Sequence, residues 1–228
     1  MQYMGGKFRL AKDLCAFLDA QMTSESSFVD LFAGSCNIVA NIKATTKRYA
    51  NDINEDIMVT MEAAMTDFEF PSVVTREEYA MMKKNGLSSD PLYGFMAYGC
   101  SFAGKRWGGY VYRDSGNKRN FVIEAKNGLA RKGKLLQGTI FSIGSYLDFN
   151  IPANAVVYCD IPYSNTTKYN GRAAEFSHEE FYNWADKQTC PIYISEYVTG
   201  YNPLNLEIIW SKESLQGMRS KGGDQKRT

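Results

Sequence analysis

The sequence predicts an α/β fold, with a doubly wound and mostly parallel sheet interrupted by a long insertion. Three observations carry this reading. Short apolar runs alternate with helical spacing over residues 1–66, the alternation breaks over residues 67–150, and it resumes at Ala155. With 228 residues, 44% of them apolar, the chain can build one packed domain carrying an insertion, and 22% charged residues do not suit a disordered chain.

The elements follow in order. Phe28-Val29-Asp30-Leu31-Phe32 reads as a short buried strand ending in a turn of small residues, Ala33-Gly34-Ser35. Residues 37–46 have helical spacing, with Ile38, Val39 and Ile42 on one side. Arg48-Tyr49-Ala50 is a second strand ending at Asn51-Asp52, and residues 53–65 are again helical. In the insertion, residues 91–98 suit a helix. Residues 108–113 and 119–123 suit a hairpin around Asp114-Ser115-Gly116-Asn117. Ala155-Val156-Val157-Tyr158-Cys159 restarts the strands. Residues 178–187 form a helix with Ser177 as N-cap and Glu180 completing a capping box. Residues 191–195 and 206–210 read as further strands. The main domain is thus expected over 1–66 and 151–228, and the insertion over 67–150.

Composition excludes several classes. No apolar run is long enough to span a bilayer, and the N-terminus lacks the pattern of a secretory signal. Five scattered cysteines without CxxC spacing point to reduced thiols in a cytoplasmic protein, with neither a disulfide framework nor a metal site. The one histidine, His178, leaves no room for His-based triads and reads as a surface residue at a helix start. The ten methionines read mostly as core fillers. Net charge is +1, yet nine basic residues between Lys105 and Lys134 face only Asp114 and Glu124, a local excess of +7. A basic segment in an otherwise acidic chain suits contact with phosphates, the alternative being a solvated loop. Trp107, Tyr110 and Tyr112 lie within it.

Two strand ends suggest a nucleoside cofactor. Gly34 lets a ligand approach the backbone, and Asp52, about twenty residues on, is placed to accept from ribose hydroxyls. The turn is not G-x-G-x-x-G, which tilts the reading away from dinucleotides and towards S-adenosylmethionine. Asp160-Ile161-Pro162-Tyr163, at the end of another strand, offers a carboxylate, a backbone carbonyl, a stiff proline and an aromatic ring. An exocyclic amine is a poor nucleophile, because its lone pair is delocalised into the ring. Two acceptors on its hydrogens would draw it towards sp³ geometry and stabilise developing positive charge, while an aromatic ring could stack on an extruded base.

These motifs together resemble the Dam-like (D12 class) DNA adenine-N6 methyltransferases. Tyr3-Met4-Gly5-Gly6-Lys7 is similar to that family's N-terminal aromatic-x-Gly-Gly-Lys motif. The run from Phe28 to Ser35 is similar to its cofactor motif, Asn51-Asp52-Ile53-Asn54 to its ribose motif, and Asp160-Ile161-Pro162-Tyr163 to its Asp-Pro-Pro-Tyr motif. The stretch 101–121 resembles its target-recognition hairpin, and 211–228, with Lys221-Gly222-Gly223, a segment near its end. The chain stops a little short of where the family usually runs.

The resemblance implies a Rossmann-like sheet with an inserted target-recognition region. It implies S-adenosylmethionine held by Tyr3, Lys7, Phe32, Gly34, Asp52 and Asp160, and catalysis by Asp160, Ile161, Pro162 and Tyr163. Double-stranded DNA is the implied partner, contacted by Lys105, Arg106, Trp107, Arg113, Lys118 and Arg119, with the protein acting as a monomer. The departure is Ile161, where the family has proline: the acceptor carbonyl is kept and the locked φ is lost. Two other readings stay open at this point: an amine methyltransferase for cytosine N4, RNA or a protein amide, and a non-catalytic DNA-binding relative.

Overall fold

A computed structural model describes residues 1–43, 47–111, 119–163, 176–196 and 206–212. Among the described residues five strands, β1 (Ser27–Asp30), β2 (Lys47–Asp52), β3 (Thr139–Ile143), β4 (Ala155–Cys159) and β5 (Ile192–Ile194), form one sheet. The order is β3-β2-β1-β4-β5 and every pairing is parallel. β1 and β4 are buried along their whole length, as central strands covered on both faces must be.

Alternation along these strands builds two cores. Phe28, Ala50, Val156 and Tyr158 join one, and Val29, Leu31, Val157 and Cys159 join the other. The first is covered by α1 (Ala11–Asp19), α2 (Glu55–Ala63) and α5 (Phe121–Leu136). In α1 the buried residues Ala11, Leu14, Cys15 and Leu18 recur at helical spacing, so one stripe faces the sheet. The second core is closed by Tyr146 and by Phe181 and Tyr182 of α6 (His178–Ala185). Ser177 caps α6 by accepting from the Glu180 amide at 3.2 Å. Helices α3 (Arg76–Asn85) and α4 (Pro91–Gly94) complete the fold, and α4 runs on as a π-helical turn over Phe95–Gly99. Among the described residues no helix is long and apolar enough to cross a membrane.

Four expectations are corrected. Residues 37–43 make only one 3₁₀ turn, Val39–Asn41, before Ile42 turns extended. Ile38, Val39 and Ile42 are all buried, and β-branched side chains surrounded on every side do not need the one-sided stripe of a helix. Residues 119–123 are no hairpin arm. Asn120 caps α5 by accepting from the Ile123 amide at 3.1 Å, and Val122, Ala125, Leu129, Gly133 and Leu136 form its buried face. The β-prone Phe121-Val122-Ile123 masked a helical period that continues beyond it. The hairpin shrinks to one antiparallel bridge, Ser101 with Tyr110, its expected turn falling outside the described residues. Residues 206–210 form no strand, and Ile208 and Ile209 are exposed without a sheet to join. Finally, the sheet resumes before residue 151. β3 pairs with β2 over five positions, and α5 sends Leu129 and Leu136 into the first core.

Candidate active site

The chain order places the crossover from β1 to β2 on one side and to β4 on the other, which opens a crevice at the strands' C-terminal ends. A cleft of about 1400 Å³ lies there. It gathers Tyr3, Lys7, Phe32, Gly34, Asp52 and the whole of Asp160-Ile161-Pro162-Tyr163.

Asp52 ends β2. Its Oδ2 accepts from the Gly34 amide at 2.7 Å and its Oδ1 from the Asn54 amide at 2.9 Å. Burial raises its pKa, and these amides pull it back by favouring the carboxylate. Each oxygen retains accepting capacity towards the cleft. Gly34 has φ +47°, and a Cβ there would stand 3.1 Å from the Tyr3 ring. Glycine is therefore needed for backbone shape and for the approach of Tyr3. The Tyr3 ring packs on Tyr98 with centroids 5.0 Å apart, and Asn54 Nδ2 donates to the Tyr98 hydroxyl at 2.6 Å. Phe32 lies against Tyr146, Phe176 and Phe181, making an apolar wall.

Lys7 is buried at the base of the cleft. Its ammonium donates to Asp160 Oδ1 and to the Tyr163 hydroxyl. Burial disfavours its charge, but Asp160 and Tyr163 outweigh that and hold its pKa above the ordinary lysine value. Burial, with the Asp160 carboxylate, pushes the Tyr163 phenol up to about 12, so it stays protonated. Among the described residues no donor reaches Asp160 Oδ2, which leaves that oxygen as an acceptor. Ile161 lines the cleft while its side chain is buried in the second core.

Residues 3–97 match the family model of the D12 class N6 adenine-specific DNA methyltransferases. Over these residues the chain is similar to that family. No curated protein matches the sequence. The matched span carries the N-terminal, cofactor and ribose motifs, and the parallel sheet brings the Asp160 motif beside them. The match supports an enzyme of adenine-N6 DNA methylation, and methyltransferases of this kind generally use S-adenosylmethionine.

The basic residues fare differently from the cleft residues. Lys105 is exposed and lines the cleft. Arg106 Nε instead donates to the buried Asp56 Oδ2 at 2.6 Å, and Trp107 packs edge-on against Tyr79 and Tyr93. Arg119 pairs with Glu124 on the surface. Arg113, Lys118 and Lys221-Gly222-Gly223 lie outside the described residues.

The sequence reading missed three residues in or beside the site, of which Asp30 lines the cleft. His178 is half-buried rather than a free surface residue, and its Nε2 is 2.8 Å from the Pro162 carbonyl oxygen, tying α6 to the segment that follows β4. Ser195, just beyond β5, lies 3.4 Å from the Tyr163 hydroxyl. Its signal was its position at a strand end. Asp30 ends β1, is 1% exposed and leaves Oδ1 without a hydrogen bond among the described residues. Burial and the neighbouring Asp160 raise its pKa well above the ordinary carboxylate value.

Proposed function

We propose that this chain transfers a methyl group from S-adenosylmethionine to the N6 amine of an adenine flipped out of double-stranded DNA, acting as a monomer in the cytoplasm. The observation that carries this is the Lys7–Asp160–Tyr163 cluster facing Asp52 and Gly34 across one cleft. The residues present suit the cofactor. The Asp52 carboxylate is fixed by two amides and can still accept from ribose hydroxyls, and Phe32 gives an apolar wall for a flat ring. The cofactor supplies an electrophilic methyl group on a sulfonium.

The chain's own residues supply position and electrostatics. Lys7 occupies Asp160 Oδ1 and leaves Oδ2 to accept one hydrogen of the amine. The Ile161 carbonyl accepts the other. These two acceptors raise the amine's nucleophilicity and stabilise its growing charge. The methylated amine then gives up its surplus proton through Asp160 to solvent. The Tyr163 ring, with its hydroxyl anchored by Lys7, forms a wall for the base, and Pro162, with its carbonyl held to His178, stiffens the loop. The enclosing cleft excludes water from the reacting atoms.

We assign the methyltransferase part to residues 1–66 and 121–228, and recognition of the DNA target to residues 67–120. Lys105, Arg119, Arg113 and Lys118 are the proposed phosphate contacts. Arg106 and Trp107 are held within the fold, by Asp56 and by Tyr79 and Tyr93. The test is to incubate unmethylated duplex DNA with protein and cofactor, digest it and identify the modified nucleoside. N6-methyldeoxyadenosine is expected. N4-methyldeoxycytidine, or no modified base despite cofactor binding, would overturn the proposal.

A further inference from the structure

The cofactor turn has an unusual backbone. Gly34 has φ +47° and Cys36, which is not a glycine, has φ +57°. Left-handed backbone at a residue with a side chain costs energy and persists only where its surroundings fix it. The Cys36 side chain is fully buried, which anchors one end of the turn. What fixes the polar side comes from far along the chain. Lys132, in the C-terminal part of α5, sends its ammonium to the Ser35 carbonyl oxygen, between the two left-handed residues, and to Asn37 Oδ1 at 2.7 Å. Asn37 closes the ring by donating from Nδ2 to Ser35 Oγ at 3.0 Å. Gly6, in the N-terminal motif, packs on the same group: a Cβ there would stand 2.8 Å from Asn37 Nδ2 and 3.3 Å from Ser35 Oγ.

Lys132 does not line the cleft, whereas Gly34, Ser35 and Asn37 do. It therefore braces the turn from behind. A carbonyl drawn towards Lys132 is turned away from the cleft. The amides of the turn then keep their orientation, among them the Gly34 N–H bonded to Asp52. We propose that Lys132 is a positioning residue for S-adenosylmethionine binding, holding the Gly34-Ser35-Cys36 turn in its binding shape without touching the cofactor. This rests on the cofactor occupying the cleft as proposed above. The ammonium is half-buried, and burial lowers its pKa to about 8, which fits a cation enclosed by the protein rather than a solvated surface lysine.

The experiment measures cofactor affinity by calorimetry and methylation kinetics for wild type, Lys132→Met and Lys132→Arg. Wild-type binding is read first, because its absence would defeat the cofactor assignment itself and not the role of Lys132. Loss of a charged hydrogen bond to the turn should weaken cofactor affinity by about 10-fold or more in Lys132→Met. KM for the cofactor should rise in parallel, while kcat at saturating cofactor and DNA affinity stay within about 2-fold. Lys132→Arg, which keeps a cation and donors, should recover most of the affinity. Should the methionine variant fail to fold, Lys132→Gln is measured in its place. A folded variant without the cation that binds the cofactor as wild type does, or that loses kcat with KM unchanged, would overturn the proposal.

Discussion

Lys7 and Asp160 are 153 residues apart in the chain and form an ion pair at the base of the cleft. One comes from the segment before α1 and the other from the end of β4, so the pair exists only when the sheet is assembled. It divides the Asp160 carboxylate between a structural oxygen and a free one. Asp160→Ala should lower methylation at least 10²–10³-fold, since an acceptor in a water-excluded site is removed. DNA affinity should be unchanged. Removing the partner also leaves Lys7 buried and unpaired, so the melting temperature should fall. Single-turnover rates and thermal melts check both, and turnover near that of wild type would remove Asp160 from catalysis.

Asp52→Ala should weaken cofactor binding about 10-fold or more, without a matching loss of DNA affinity. The carboxylate, the proposed acceptor for ribose, is also the partner of the Gly34 and Asn54 amides. Its charged hydrogen bonds are worth about 1.5–3 kcal/mol each. Two orphaned amides should also loosen the turn, seen as faster amide exchange at residues 33–36. Calorimetry showing equal cofactor affinity would contradict the proposed pocket.

These residues were legible in the sequence because each lies at a strand end or beside a short motif. Tyr3, Lys7, Gly34, Asp52 and Asp160 were all expected at one site, and the cleft unites them. What escaped depends on packing between distant segments. Nothing local to Lys132 marks it as a brace for Ser35, because its partner is 97 residues away. Arg106 looked like a phosphate contact because its neighbours are basic, but its partner, Asp56, sits on α2, 50 residues earlier. The strand reading of residues 119–123 failed because a β-prone run was weighed without the helical stripe that follows it.

Asp30→Asn should stabilise the protein at neutral pH. The folded pKa of Asp30 is raised by burial and by Asp160, while the unfolded value lies near 3.8. Between the two, the folded state binds the extra proton, so wild-type stability falls as pH rises above about 4. Asparagine carries no such penalty. The stability difference should therefore vanish below pH 4 and grow towards neutrality. Urea unfolding of both proteins from pH 4 to 8 measures it, and a difference that is flat across this range would place the Asp30 charge outside the stability balance.

Lys105 and Arg119 should act on DNA, and Arg106 chiefly on stability. Replacing Lys105 and Arg119 by glutamine should weaken DNA binding and lower the slope of log affinity against log salt by about 0.9 for each phosphate no longer neutralised. Arg106→Gln strands the buried Asp56 carboxylate. Its cost should lie below the roughly 3–5 kcal/mol typical of a fully buried pair, because Arg106 is 43% exposed. The salt slope should barely change. A slope unaltered by the double replacement would make the basic segment an ordinary solvated surface.

Ile161→Pro, restoring the residue usual in the family, should leave activity equal or modestly higher. The acceptor carbonyl is present in both proteins, and no acceptor for the Ile161 N–H occurs among the described residues. The side chain is the complication. Ile161 is 2% exposed and packs in the second core with Val29, Leu31, Val157 and Phe181, so proline leaves part of that space unfilled. A buried loss of this size costs about 0.5–1.5 kcal/mol, as for Ile→Val. If the backbone at residue 161 already has a φ that proline can adopt, fixing it returns about 0.4–1 kcal/mol by restricting the unfolded chain. The two nearly cancel, so stability should change little while the carbonyl is aimed more firmly. Single-turnover methylation on one adenine-containing duplex, with a thermal melt of each protein, separates the outcomes. A large rate loss in a protein of unchanged stability would mean that the isoleucine supports a rebuilt catalytic loop, with a backbone at residue 161 that proline cannot adopt.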